Sequence, residues 1–174
     1  MDARDGQDAR YTAAAAEFGA AIERLARAYE ADADSRGDLI QDIHVALWRS
    51  LAVFDGRCSL RTWVYRVAHN TAASHVQKRR RWRPERGATL EALEGVADSD
   101  DPEAAAGQRQ ALERLMAIIH RLGPPDHQVA LLYLEDLDAA AIGEITGLSA
   151  GAVAAKIHRL KALLARRFSE GGRA

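Results

Sequence analysis

The sequence predicts an all-α protein: two small helical domains joined by a flexible linker, the C-terminal one containing a helix-turn-helix. Three observations carry this. Ala and Leu dominate the 174 residues while Val, Ile and aromatic residues are sparse, a helix-forming bias. Apolar residues recur at helical spacing in two blocks, 11–83 and 108–168. Between them, residues 85–107 are acidic, carry Gly87, Gly95 and Pro102, and hold few large apolar groups, as a linker does. The domain boundaries read from these patterns are 1–84, 85–107 and 108–174.

The elements follow in order. Residues 1–10 are polar and read as frayed. From Tyr11 to Glu30, Phe18, Ile22, Leu25 and Tyr29 form a helical stripe. The segment Ala31-Asp32-Ala33-Asp34-Ser35-Arg36-Gly37 breaks it, and Asp38 is placed to cap a second helix carrying Leu39, Ile43 and Leu47. Phe54-Asp55-Gly56-Arg57-Cys58 reads as a turn and Ser59 as the cap of a third helix. Leu60, Trp63, Val64, Val67 and Thr71 share one face of it, and Pro84 stops it. Trp63 and Tyr65 cannot share a face, so one of them is expected at an edge or exposed. Transient helix is expected near Leu90 and Leu93. In the second block Leu112, Leu115, Met116 and Ile119 form a stripe that Gly123-Pro124-Pro125 ends. A helix through Val129, Leu132 and Tyr133 follows.

The chain ends in a segment with helix-turn-helix logic. Asp138 can cap its first helix, Gly143 lets two crossing helices approach, Gly147 supplies a positive φ, and Ser149 can cap the second. Ile142, Val153 and Ile157 would close the core between them. A helical hairpin with no DNA role explains the same pattern. The second helix is chemically poor as a reader, because Ala150, Ala152 and Ala154 cannot hydrogen-bond base edges.

Charge distribution points to polyanions where net charge does not. The formal charge is −1, yet between Arg57 and Arg86 nine Lys or Arg face one acid, and between Lys156 and Arg173 six face one. Aromatics and cations interleave in the first island, through Trp63, Tyr65 and Trp82, as stacking on unpaired bases and holding phosphates require. A plain solvated charge run is the alternative for Lys78–Arg83. Cys58 is the single cysteine, which excludes an internal disulfide and fits a reducing compartment. The N-terminus is unlike a signal peptide and no apolar run approaches the length of a membrane span, so a cytoplasmic location without membrane insertion is expected. His44, His69, His75, His120, His127 and His158 show no metal-ligand spacing, and no phosphate loop or serine-nucleophile motif occurs. No enzyme activity, small-molecule substrate, metal or cofactor is expected.

The stretch DLIQDIHVALWRSL followed by FDGRCSLRTWVYRVAHNTAASHVQKRRR resembles region 2 of bacterial RNA polymerase sigma factors of the small extracytoplasmic-function (ECF) type. GPPDHQVALLYLEDL with the helix-turn-helix resembles region 4 of the same family. The resemblance implies a transcription initiation factor whose partners are core RNA polymerase and promoter DNA, with an anti-sigma protein as a further partner. It implies that Asp38, Leu39, Gln41, Asp42 and Trp48 dock on polymerase. It implies that Asp55, Gly56, Arg57, Ser59, Arg61, Tyr65, Arg66, Asn70, Lys78, Arg79 and Arg80 meet the −10 element. Ser149, Ala152, Lys156 and Arg159 would meet the −35 element, with shape readout compensating for the alanines. Two other readings remain: a stand-alone helix-turn-helix regulator, and a helical interaction protein with no DNA role.

Overall fold

The computed structural model describes residues 3–80, 88–94 and 108–169. Its contacts divide the chain into two units, Met1–Glu85 and Arg86–Ala174. The all-helical expectation holds: the described residues form eight helices, and their only β-type pairing is an isolated bridge between Ala88 and Leu122. No single helix among them is long and apolar enough to cross a membrane.

The N-terminal unit is built from α1 (Ala3–Tyr29), α2 (Ala33–Ser50) and α3 (Leu60–Arg80), each packed on the other two. From α1 come Ala14, Phe18, Ala21, Ile22, Leu25 and Ala26, a stripe whose small members let the neighbouring helices approach. From α2 and its end come Leu39, Ile43, Leu47 and Leu51, spaced four apart and fully buried. From α3 come Val64, Tyr65, Ala68, His69 and Ala72. His69 is buried beside Tyr29, hydrogen-bonded through Nδ1 to its hydroxyl at 2.9 Å, with the two rings edge to face. Burial pushes the Tyr29 hydroxyl well above the ordinary tyrosine range.

Two expectations fail here. Residues from Ala3 onward are helical, not frayed. Gln7 Nε2 donates to the Trp48 carbonyl and Asp8 accepts the Trp48 indole N–H, both at 2.7 Å. Those partners lie about forty positions away along the chain, so no local signal announces them. Nor does Asp38 cap α2. Asp32 does, its carboxylate accepting from the Ser35 amide at 2.9 Å, and Asp38 sits exposed inside the helix. Hydrogen bonding to the Ser35 backbone, and then to its side chain, holds the Asp32 carboxyl below the usual carboxylate range.

The C-terminal unit contains α4 (Leu90–Glu94), α5 (Gln108–Arg121), α6 (Asp126–Leu134), α7 (Ala139–Thr146) and α8 (Ala150–Ser169). Part of the expected linker belongs to its core. Leu90 and Leu93 pack with Leu122, Ala130, Leu160 and Leu163, and Ala88 bonds on both sides of Leu122 (to the Arg121 carbonyl at 2.7 Å and from the Gly123 amide at 2.8 Å). Residues 95–107 lie outside the described residues. On α5, Ile119 is buried as expected, but Leu112 is 55% exposed. The axes of α7 and α8 turn by 111°, within the range of helix-turn-helix pairs. The turn is built as its residues predict. Asp138 accepts from the Ala141 amide at 2.8 Å, Gly147 takes φ +76°, and the Ser149 hydroxyl accepts from the Ala152 amide at 3.2 Å. A Cβ on Gly143 would stand 2.9 Å from the Leu148 carbonyl oxygen.

Two outcomes follow from this geometry. Gly143→Ala lowers unfolding stability by about 1–3 kcal/mol in urea titration, because backbone must move to admit the methyl group. Gly151→Ala, in open space on α8, leaves stability unchanged or raises it by up to about 1 kcal/mol. The Asp32 cap has a pH signature. Its lowered pKa means that its contribution is present above the unfolded carboxylate pKa of about 3.9 and is lost as pH falls through the folded value. Denaturation midpoints of the native chain and Asp32→Ala therefore converge on acidification.

Candidate nucleic-acid interface

The turn between α2 and α3 is held at both ends and open at its tip. At the base, the Phe54 ring lies 5.3 Å from the Trp63 ring, and the Trp63 indole N–H donates to Ser50 Oγ at 3.0 Å. At the exit, the Ser59 hydroxyl accepts from the Thr62 amide at 3.0 Å and caps α3. At the tip, Gly56 takes φ +77°, Asp55 accepts the Arg57 amide at 3.2 Å, and the Arg57 guanidinium rests 2.6 Å from the same carboxylate. Asp55, Gly56, Arg57 and Ser59 are all exposed, and Val53 beside them is 73% exposed. The turn therefore offers a preformed, exposed edge with a cation, a carboxylate and an apolar side chain.

Along α3 the candidates separate. Arg61, Asn70, Lys78 and Arg79 are exposed. Arg79 pairs with Glu30 at the end of α1, and His75 lies between Glu30 (3.7 Å) and Asp42 (4.0 Å). Tyr65 is a correction: only 4% exposed, its ring lies edge to face on Phe18, with the Arg61 guanidinium 5.9 Å from its centre. It is a core residue and cannot stack on a base. The buried face runs through Val64, Tyr65, Ala68 and Ala72, one position round from the face read off the sequence, so Trp63 takes the edge position instead. Arg66 is half-buried. The side chain of Arg80, and Arg81, Trp82 and Arg83, lie outside the described residues.

On α2, Asp38, Gln41 and Asp42 are exposed, and Trp48 is half-buried with its N–H committed to Asp8. Leu39 is another correction. Fully buried, it holds the bundle together and has no surface to offer a partner.

On α8, Ser149 is exposed but its hydroxyl caps the helix, and Ala152 is half-buried. Lys156 is mostly buried, its ammonium donating at 2.5 Å to Asp126, a carboxylate only 2% exposed. The other Asp126 oxygen accepts the Leu90 amide at 3.0 Å. Lys156 is therefore a structural counter-charge and not the free phosphate ligand the sequence suggested. Arg159 remains half-exposed, paired with Glu91 of α4. The Glu91 carboxyl lies below the usual range, first through its own backbone amide and then through Arg159. The strip that faces outward is Gly151, Ala154, Ala155 and His158. Reading α8 against its buried Val153, Leu160 and Leu163 would have found it, since these fix the phase of the helix. No group of three or more His, Cys, Asp or Glu among the described residues is arranged to hold a metal ion.

A three-helix unit with an anchored open turn leading into a basic helix, and a second unit ending in a helix-turn-helix, make a two-part all-helical protein. The chain belongs to the RNA polymerase sigma factors of the ECF type. The Sigma-70 region 2 family model matches residues 15–91. The sigma factor YlaC of Bacillus subtilis is 30% identical over 128 residues, covering 71% of this chain and 72% of that one. CnrH of Cupriavidus metallidurans is 29% identical over 171 residues, 93% of this chain and 88% of that one. The ECF sigma factor SigG of Mycobacterium tuberculosis is 29% identical over 150 residues, but this chain spans only 40% of its length. The structure of CnrH in complex with the cytosolic domain of CnrY shares the fold, with TM-score 0.67 and 20% identity over 97% of this chain and 93% of that one.

Lys156→Met lowers unfolding stability by about 1–3 kcal/mol, because it strands the buried Asp126 carboxylate, the penalty being softened by the partial exposure of the lysine. Chemical denaturation of the full chain measures it.

Proposed function

We propose that this chain is a transcription initiation factor: it binds core RNA polymerase, directs it to promoters and helps open the duplex. The observation that carries the reading is the anchored turn at Asp55–Ser59 leading into a basic helix, inside the block that matches Sigma-70 region 2. In this reading Asp38, Gln41 and Asp42, with the edge of Trp48, form the polymerase-docking face of α2. The turn residues Asp55, Gly56, Arg57 and Ser59 receive a base of the −10 element, while Arg61, Asn70, Lys78 and Arg79 hold the adjoining strand. The outward strip of α8 with Arg159 meets the −35 element, largely through shape and backbone contact.

A protein partner belongs to the same proposal. CnrH has been solved with the cytosolic domain of CnrY, and an anti-sigma protein is the partner expected to hold this chain inactive.

Co-purification with core polymerase and run-off transcription on promoters mapped after overexpression test the reading. Asp42→Arg lowers core binding at least about tenfold while leaving DNA affinity of the free chain unchanged, the size of one interfacial charge contact. The opposite pattern, DNA binding with no polymerase dependence, identifies a stand-alone regulator. Lys78→Ala makes single-strand binding less salt-dependent, reducing the slope of log K against log salt by about 0.7.

A further inference from the structure

Within the C-terminal unit, α4 is seated so that its Glu91 carboxylate meets α8. Leu90 and Leu93 are buried, the Leu90 amide is bound to Asp126, and Ala88 is bonded on either side of Leu122. These contacts hold α4 without any help from Glu91. Glu91 nonetheless lies against the Arg159 guanidinium, and both side chains are about half exposed. A half-exposed ion pair contributes little to stability, so the fold gains little from this one. What it does is occupy a cation beside the outward strip of α8. To a guanidinium, a carboxylate and a phosphodiester are the same kind of ligand: planar or tetrahedral oxyanions accepting charge-assisted N–H bonds.

We propose that Glu91 is an internal phosphate mimic: it fills the Arg159 site in the free protein, and promoter backbone must displace it before Arg159 can hold DNA. The inference rests on α8 being the DNA reader. It makes the segment before α5 a damper on premature DNA binding. The Leu90–Asp126 bond and the apolar seat keep the mimic in place, so displacement needs only a rotation of the Glu91 side chain and no unfolding of α4.

The test is a double-mutant cycle on the full-length chain, with fluorescence anisotropy on a short mixed-sequence DNA duplex. Glu91→Gln tightens binding about two- to five-fold, the range of an exposed ion pair. It also steepens the salt slope by about 0.9, the signature of one more phosphate contact. Arg159→Ala weakens binding, and adding Glu91→Gln to it then changes nothing. Thermal unfolding of Glu91→Gln matches the native chain. An equal gain from Glu91→Gln in the Arg159→Ala background overturns the proposal, because the effect is then general charge and not competition. Weakening by Arg159→Ala without any gain from Glu91→Gln also overturns it, and leaves the DNA-reader assignment standing. Indifference of binding to Arg159→Ala removes both.

Discussion

Carboxylates of the same chain stand where a polyanion would. Arg57 rests on Asp55, Arg79 on Glu30, Lys156 on Asp126 and Arg159 on Glu91. The formal charge of −1 is not spread evenly, and part of the basic charge is matched locally by these pairs. This arrangement has two physical grades. Lys156–Asp126 is mostly withdrawn from solvent and shares its carboxylate with a backbone amide, so it ties α4, α6 and α8 together. The Arg57 and Arg159 pairs are exposed on both sides, screened over about 10 Å at ordinary salt, and open to exchange with an incoming phosphate, while the Arg79 pair lies between the two grades, its arginine half-exposed and its Glu30 carboxylate mostly covered. The first kind builds the C-terminal unit and, under the proposed function, the second sets how readily nucleic acid is met.

The apolar scaffold places those pairs. Leu39, Ile43, Leu47 and Leu51 lie on α2 in line with the interior, which turns Asp38, Gln41 and Asp42 outward by helical geometry alone. In the same way Val153, Leu160 and Leu163 turn Ala154, Ala155 and His158 outward on α8. The turn after α2 needs more than periodicity. Phe54, Trp63 and Ser50 clamp its base and Ser59 clamps its exit, so the conformational entropy of ordering it is lost on folding and not on binding.

What could be read from the sequence was local. Ser59, Asp138, Gly147 and Ser149 act within three residues of themselves, and each does what its chemistry suggested. The misreadings share a different cause. Asp8 and Gln7 are anchored by Trp48, and Leu90 by Asp126, partners far along the chain that leave no pattern nearby. Asp32 and Asp38 are the same residue type before the same apolar run, and the segment between them, which the sequence suggested as a break, is the first part of α2. Tyr65 stood among aromatics interleaved with cations, which suggested base stacking, yet its ring completes the contact with Phe18. Lys156 looked free because its counter-charge lies thirty positions earlier on another helix. At the candidate site, the turn and the exposed part of α3 were legible, while the phase of α8 needed its whole apolar pattern, Val153, Leu160 and Leu163, and not its first turns alone.

Three of the four residues of the outward strip of α8, Gly151, Ala154 and Ala155, offer methyl groups or nothing, which leaves His158 as its one hydrogen-bonding side chain. Each bidentate base contact that such a strip forgoes is worth about 1–3 kcal/mol of discrimination. Under the proposed function, substitutions in the upstream half of a target site then meet a smaller penalty than those in the downstream half, where selection acts more strongly. New genes can be drawn into the regulon chiefly by point changes near their start sites, and the upstream halves of existing members are freer to drift apart.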